Sequence, residues 1–370
     1  MRILFLNWKD IKNPEAGGAE IVAFTFAKRL SKEGNQVTFF SRSFSGALSE
    51  ETLDGVDIIR RGGKFSVYFA AYLYICSLKI QPDKIIDMIN TICWQTPLYV
   101  SPHKRIAYLN QLAQEVFFYQ LSWPFSWIAY YIEKFQYITY KNTKFLCYSQ
   151  STKDDLISYG IAKKNITIFP MGLDHKRHIP KLTHKTKYPL FIFVGRLVKM
   201  KRADACIHAL QIVIKDYPQT KLAIIGNGPD EKNLHNLVRK LSLEKNVYFV
   251  NKQHMTIYTS SEERKVAYMQ QAWSLILPSV KEGWGMVVTE AAACGTPSIV
   301  SNVTGLRDAV EQDKTGIILS QNPSPEEIAR ALVDIIRDKD KRMNLGKNAR
   351  QYAQTLSWEK SYQEFKKNIL

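Results

Sequence analysis

Two glutamates, Glu282 and Glu290, are separated by seven residues in the segment EGWGMVVTEAAACGTPSIV. Gly283 and Gly285 open the backbone between them, so peptide N–H groups can turn toward an anion. With Glu282 in a loop and Glu290 one to two turns into a helix, their Cα atoms lie up to ~12 Å apart at ~1.5 Å per residue. That is wide for two carboxylates flanking a single bond. It suits two acids that grip different hydroxyl groups of one long ligand. The same pattern also fits a plain helix N-terminus with one acid favoured by the macrodipole.

A second group is VGRLVKMKR, where Arg196 and Lys201 follow Gly195 in a turn before a helical stretch. Two cations beside a helix N-terminus form a diphosphate site, by charge and by free N–H groups. Lys199 and Arg202 add charge nearby; a solvated basic turn is the plainer reading. A third is NPEAGGAE, in which Gly17 and Gly18 close a strand-to-helix loop and Glu20 is either a ligand-binding acid or a first-turn acid. The fourth, IIGNGPDEK, places Gly226 and Gly228 before Pro229, and reads as turn chemistry or as a loop touching a nucleotide. No Asp-x-Asp pair stands at a strand end, so no divalent metal is expected.

These residues need a scaffold, and the chain alternates short apolar runs with helical patterns. Strands are expected at 3–6, 37–41, 84–88, 105–109, 145–149 and 166–170. Val22, Phe26 and Leu30 fall at i, i+4 and i+8, and Gly34 marks a helix stop. Residues 171–188 are basic and lack apolar periodicity, and read as a linker. The alternation restarts with strands at 190–195, 221–226, 246–250, 274–278 and 297–301, with helices at about 202–215, 229–241, 262–272 and 285–294. This order predicts an α/β fold of two doubly wound parallel-sheet domains, with ligands at their facing strand ends. The boundaries are 1–172, a linker at 173–188, and 189–354, with a C-terminal helix at 355–370 rejoining the first domain and Ser357 as its N-cap.

The ordered motifs resemble the family-4 retaining glycosyltransferases of the GT-B fold, over nearly the whole chain. The likeness is nearest to a subgroup with a GGAE first loop (17–20), an EGWG block (282–285) and a GLRD segment (305–308). The resemblance implies that Glu282 contacts the donor sugar and Glu290 the ribose hydroxyls. It places Gly283, Trp284, Gly285, Met286 and Val287 along the sugar and diphosphate, and Arg196 and Lys201 on the leaving diphosphate. Gly17, Gly18, Gly195, Gly226 and Gly228 would complete the donor site. Glu20, Asn110 and Glu115 would lie on the acceptor side. Asn110 stands where the subgroup has His; it can donate and accept hydrogen bonds but takes no proton near neutral pH. Base contacts are implied near 249–252, where Asn251 replaces a common Gly, and 254–263 reads as extended.

The 370 residues carry 51 Lys+Arg and 34 Asp+Glu, a net charge of +17. With 45% hydrophobic residues, the composition excludes a mainly disordered chain. The charge is spread along both halves, unlike a module for nucleic acid, and no such partner is expected. The five cysteines form no CxxC clamp and read as reduced core thiols of a cytoplasmic protein. MRILFLNWKD reads as a first strand, not a signal peptide. Residues 65–140 hold 19 aromatics, twice the chain's 12% average, and are either buried helices or a surface facing lipid. The expectation is a metal-independent retaining enzyme without a cofactor. It moves a sugar from a UDP- or GDP-sugar to a lipid-linked or cell-surface glycan, and is peripheral on the inner face of an anionic membrane. The alternatives are a nucleotide-sugar epimerase on the same fold and a non-catalytic basic binding protein.

Overall fold

The computed structural model describes residues 1–181, 185–250 and 261–370. The chain divides into two compact units, Met1–Pro170 with Ser361–Leu370, and Met171–Lys360. In the first unit the strands are β1 (Arg2–Leu6), β2 (Gln36–Ser41), β3 (Glu50–Leu53), β4 (Val56–Arg60), β5 (Lys84–Ile89), β6 (Arg105–Leu109), β7 (Phe145–Cys147) and β8 (Ile166–Ile168). They form one sheet ordered β3-β4-β2-β1-β5-β6-β7-β8, parallel except for β3. Strand β6 is buried along its whole length, as strands covered on both faces must be. Unbroken apolar runs therefore mark these strands better than alternation does.

The helix Gly18–Lys32 buries Val22, Phe26 and Leu30 on one face, the spacing read from the sequence. Phe26 stacks on Phe365 of the closing helix Trp358–Ile369, with ring centroids 4.4 Å apart. Ser357 caps that helix by accepting the Lys360 N–H at 3.1 Å. The β3–β4 hairpin is not among the strands expected from the sequence. Its signal is present in Asp54-Gly55, both at positive φ, the pair that closes a two-residue hairpin turn. The charged, exposed β3 lacks the apolar run that marks the other strands.

The second unit holds β9 (Leu190–Val194), β10 (Lys221–Ile225), β11 (Val247–Val250), β12 (Ser274–Leu277), β13 (Ser298–Ser301) and β14 (Gly316–Leu319). All are parallel, in the order β11-β10-β9-β12-β13-β14. The chain builds outward from β9 to one side, then returns to β12 on the other. The boundary between β9 and β12 is thus the switch point at which open α/β sheets hold ligands. The first unit has its own switch point between β1 and β5. Both sheets are doubly wound parallel α/β layers, the GT-B architecture.

The ends of the expected strands differ from the observed ones by at most two residues, and β14, like β3 and β4, is not among the expected strands. Residues 261–263, read as extended, open the helix Ser261–Gln271, with Glu262 and Glu263 in its first turn. Of the expected base-contact stretch, Phe249 and Val250 close β11, and Asn251 and Lys252 lie outside the described residues. The basic segment read as a linker is packed on the second unit. His175 Nε2 lies 2.6 Å from the Leu356 carbonyl, and Lys185 Nζ donates to the Ala272 carbonyl at 2.5 Å and to Thr296 Oγ1 at 2.6 Å. Burial pushes the Lys185 amine down to about 7.

Candidate functional site

Strands β9 and β12 pair directly, so the loops that leave their C-terminal ends are neighbours. The Val280 N–H donates to the Met200 carbonyl at 2.9 Å and locks one loop against the other. That single backbone bond sets Lys201, in a short 3₁₀ turn, beside Glu282. Lys201 Nζ forms an ion pair with Glu282 Oε1, and Ser279 Oγ donates to the same oxygen at 3.0 Å. Among the described residues, Oε2 of Glu282 takes no bond, which leaves it open to a hydroxyl donor. Arg196 is exposed on the loop after β9 and makes no ion pair among the described residues.

Glu290 lies in the second turn of the helix Met286–Ala293, while Glu282 is in the loop before it. The first N–H groups of such a helix have no acceptor within it. Gly285 is its N-cap, and Met286 and Val287 open its first turn; Trp284 is buried beneath. Glu290 is mostly buried and has its own cation: Lys265 Nζ is 2.8 Å from Glu290 Oε2 and 2.8 Å from Glu262 Oε2. Burial pulls the Lys265 amine down, but the carboxylates of Glu290 and Glu262 outweigh it and hold its pKa above the ordinary value. His178 is buried with Nε2 4.0 Å from Glu290 Oε2, while its Nδ1 lies 3.0 Å from the Asp174 carbonyl. Lys265, His178 and Ser279 are not among the residues that the sequence singles out. The first two come from a helix and a basic segment distant in the chain, so no local spacing announces them.

The glycine loops have a packing reason. A Cβ on Gly226 would lie 1.9 Å from the Gly195 carbonyl oxygen, and one on Gly228 would lie 2.2 Å from the Leu197 carbonyl oxygen. The loop after β10 therefore crosses the loop after β9 backbone to backbone, and the Leu197 N–H donates to the Asn227 carbonyl at 2.8 Å. This close crossing holds the Arg196 and Lys201 loop in place. Gly305 does the same for the acid: a Cβ there would meet the Glu282 carbonyl oxygen at 2.4 Å, and the Glu282 N–H donates to the Thr304 carbonyl at 3.3 Å. Gly283 lies at this contact too, so the 305–308 segment backs the 282–285 block.

In the first unit, Gly17 is the N-cap of the helix Gly18–Lys32, and Glu20 turns back to accept the Gly17 N–H at 2.7 Å. Glu20 is buried and lies 3.9 Å from Lys9 Nζ, so its carboxylate is engaged in the helix start. Asn110 follows β6 directly and Nδ2 donates to Asn90 Oδ1 at 3.0 Å; Asn90 follows β5, and its Nδ2 donates to Asn7 Oδ1 at 2.9 Å. Asn7 follows β1. Three asparagines thus form a chain of side-chain hydrogen bonds across the ends of three adjacent strands. The sequence reading misses Asn7 and Asn90, although each closes an apolar run (FLN, MIN, YLN) in the same way. Glu115 lies in the short turn Gln114–Val116 and is half-buried. No group of three or more His, Cys, Asp or Glu is arranged to hold a metal ion among the described residues.

Against known proteins, residues 16–177 match the model of Glycosyltransferase Family 4, and residues 174–352 match that of Glycosyl transferases group 1. A D-inositol 3-phosphate glycosyltransferase of Corynebacterium aurimucosum is 30% identical over 227 residues, 57% of this chain and 52% of that protein. The chain spans about half the length of the curated relatives it matches. Among solved structures, sucrose-phosphate synthase of Thermosynechococcus elongatus superposes with a TM-score of 0.78 at 21% identity, over 99% of this chain and 98% of the other. HepE of Anabaena, solved in complex with UDP-glucose, superposes with a TM-score of 0.74 at 16% identity, over 100% of this chain and 99% of the other.

Proposed function

We infer the activity of this chain from the two glycosyltransferase models that it matches, over residues 16–177 and 174–352, and from the charged loops at its second switch point. The proposal is transfer of a sugar from a nucleotide-sugar to a hydroxyl acceptor, with retention at the anomeric carbon. The observation that carries it is the Lys201–Glu282 ion pair at the boundary of β9 and β12, with the exposed Arg196 on the same loop as Lys201.

In this reading a diphosphate competes for Lys201 and joins it to Arg196. Glu282 is then released from its cation and offers both oxygens to the donor sugar. Glu290, held by Lys265, takes the ribose hydroxyls. Residues 283–287 line the sugar and diphosphate. The bond from the anomeric carbon to the diphosphate oxygen breaks, and the acceptor oxygen bonds to that carbon on the same face. The acceptor's proton passes to the departing diphosphate. Arg196, Lys201 and the helix N-terminus at Met286 stabilise the charge that develops there, and such preorganised charge supplies most of the rate acceleration in sites of this kind. The two cations supply that charge, so the proposal needs no divalent metal. UDP is the favoured carrier, because HepE binds UDP-glucose on the same fold. Gly17 and Gly18 are assigned to the donor, and Glu20, Asn110 and Glu115 to the acceptor, a lipid-linked or cell-surface glycan presented at the inner face of a membrane.

The test is transfer of radiolabelled sugar from a panel of nucleotide-sugars into membrane extract. Transfer is expected from one donor, with loss in Lys201→Ala and in Glu290→Ala. Unchanged transfer in both variants overturns the site assignment. Product formed from the donor alone, seen by NMR, marks an epimerase instead.

A further inference from the structure

The helix Phe125–Gln136 is amphipathic in the opposite sense from a helix that faces water. Its buried residues are the polar Ser126 and Glu133. Its exposed residues include Phe125, Trp127, Ile128, Tyr131, Ile132 and Phe135, and the preceding Trp123 is 80% exposed. Glu133 is fully buried because it accepts the Ala113 N–H at 2.6 Å and the Gln114 N–H at 2.8 Å. A second helix, Val67–Ser77, exposes Phe69, Tyr72 and Leu73. Residues 93–99 join the two. Tyr72 packs edge-on against Tyr99 with ring centroids 5.3 Å apart. The Cys93 N–H donates to Gln136 Oε1 at 2.9 Å, and Leu98 of the same segment is exposed.

So large an exposed apolar face marks an interaction surface. Its surroundings choose the partner. Lys64 and Lys79 flank the Val67–Ser77 helix in sequence, Lys134 lies on the Phe125–Gln136 helix and Lys141 follows it; all four are exposed, and the one acidic residue in 117–144 is the buried Glu133. An apolar, Trp- and Tyr-rich centre with a cationic rim complements hydrocarbon beneath anionic headgroups. A second copy of the chain would set one cationic rim against another.

We propose that this face docks the first unit on an anionic lipid bilayer, with the Phe125–Gln136 helix lying in the interface. Because Glu133 holds Ala113 and Gln114, the docked helix carries with it the loop that bears Asn110 and Glu115. The proposal rests on the reading of a membrane-borne acceptor and gives that reading a surface.

The experiment is co-sedimentation of the full chain with vesicles of phosphatidylcholine, with and without phosphatidylglycerol, at low salt. Binding is expected with phosphatidylglycerol, accompanied by a blue shift of tryptophan emission. Ile128→Glu should weaken binding about tenfold or more, and Lys134→Glu several-fold. UDP-induced thermal stabilisation, measured on the same samples, reports an intact second unit. It also separates failure of this proposal from failure of the glycosyltransferase reading. Absence of binding to phosphatidylglycerol vesicles by a chain that still responds to UDP overturns the proposal. So does concentration-dependent dimerisation that Ile128→Glu abolishes in a chain that ignores vesicles.

Discussion

The strand-end loops of the two units carry different chemistry on the same architecture. In the second unit two acids reach the switch point, and each is matched by a lysine: Glu282 by Lys201 and Glu290 by Lys265. In the first unit the nearby charges are already engaged. Asp10 is clamped by Arg60 at 2.7 and 2.9 Å, Glu20 serves its helix start, and what spans the strand ends is the neutral row Asn7, Asn90 and Asn110. Exchangeable charge suits a diphosphate that arrives and leaves with its own charge. A neutral row suits an uncharged hydroxyl, which needs orientation rather than neutralisation.

The largest effect that would break this comparison lies at the diphosphate cations. Lys201→Ala or Arg196→Ala should lower kcat of transfer by about 10²–10³, the usual cost of removing one charge-stabilising group. Rates within a few-fold of wild type in both would remove the charged half of the contrast. Next comes Lys265→Ala, which leaves Glu290 and Glu262 without their buried cation. Urea unfolding should show a loss of about 3 kcal/mol, and the donor KM should rise more than kcat falls. A kcat loss alone would reassign Lys265 to the chemical step.

The first unit has a buried acid with no hydrogen-bonded cation. Asp87 accepts from Thr96 Oγ1 at 2.6 Å and from the Tyr140 hydroxyl at 2.5 Å. Burial pushes its carboxyl up to about 6, against the opposing pull of these hydroxyls. The folded state therefore holds the proton more tightly than the unfolded chain does. The stability from Asp87 is present below its unfolded value of 3.8 and is lost as pH rises toward about 6. Between about pH 4 and about pH 7, wild type should lose about 2–3 kcal/mol relative to Asp87→Asn. Parallel stability curves would contradict this.

The smallest effect sharpens the neutral half. Asn90→Ala removes the acceptor of Asn110 and the donor to Asn7, and should cost about 1 kcal/mol of stability. It should raise the acceptor KM several-fold while leaving UDP affinity unchanged. A change in UDP affinity instead would place the asparagine row on the donor.

What the sequence made legible follows the range of the contacts. Glu282, Glu290, Arg196 and Lys201 sit in compact segments beside glycines, so their chemistry is written locally. The same holds for Val22, Phe26 and Leu30, whose spacing alone defines the buried face of their helix. The asparagine row is another matter: its bonds join residues 83 and 20 apart in sequence, and only the strand order β1-β5-β6 makes them neighbours. Lys265 and His178 were hidden for the same reason. The 65–140 aromatics were visible but ambiguous, because composition does not tell which side of a helix faces inward. The burial of Glu133 resolves that, since a carboxylate goes inside only where N–H groups await it.

The central claim, that the second unit's charged loops bind a nucleoside diphosphate, is tested most directly by calorimetric titration of UDP, GDP and ADP into wild type and Lys201→Ala. The account predicts that one of the three, UDP first, binds wild type and loses about tenfold or more in affinity for the variant. Equal affinity in both proteins, or no binding of any of the three to wild type, would contradict it.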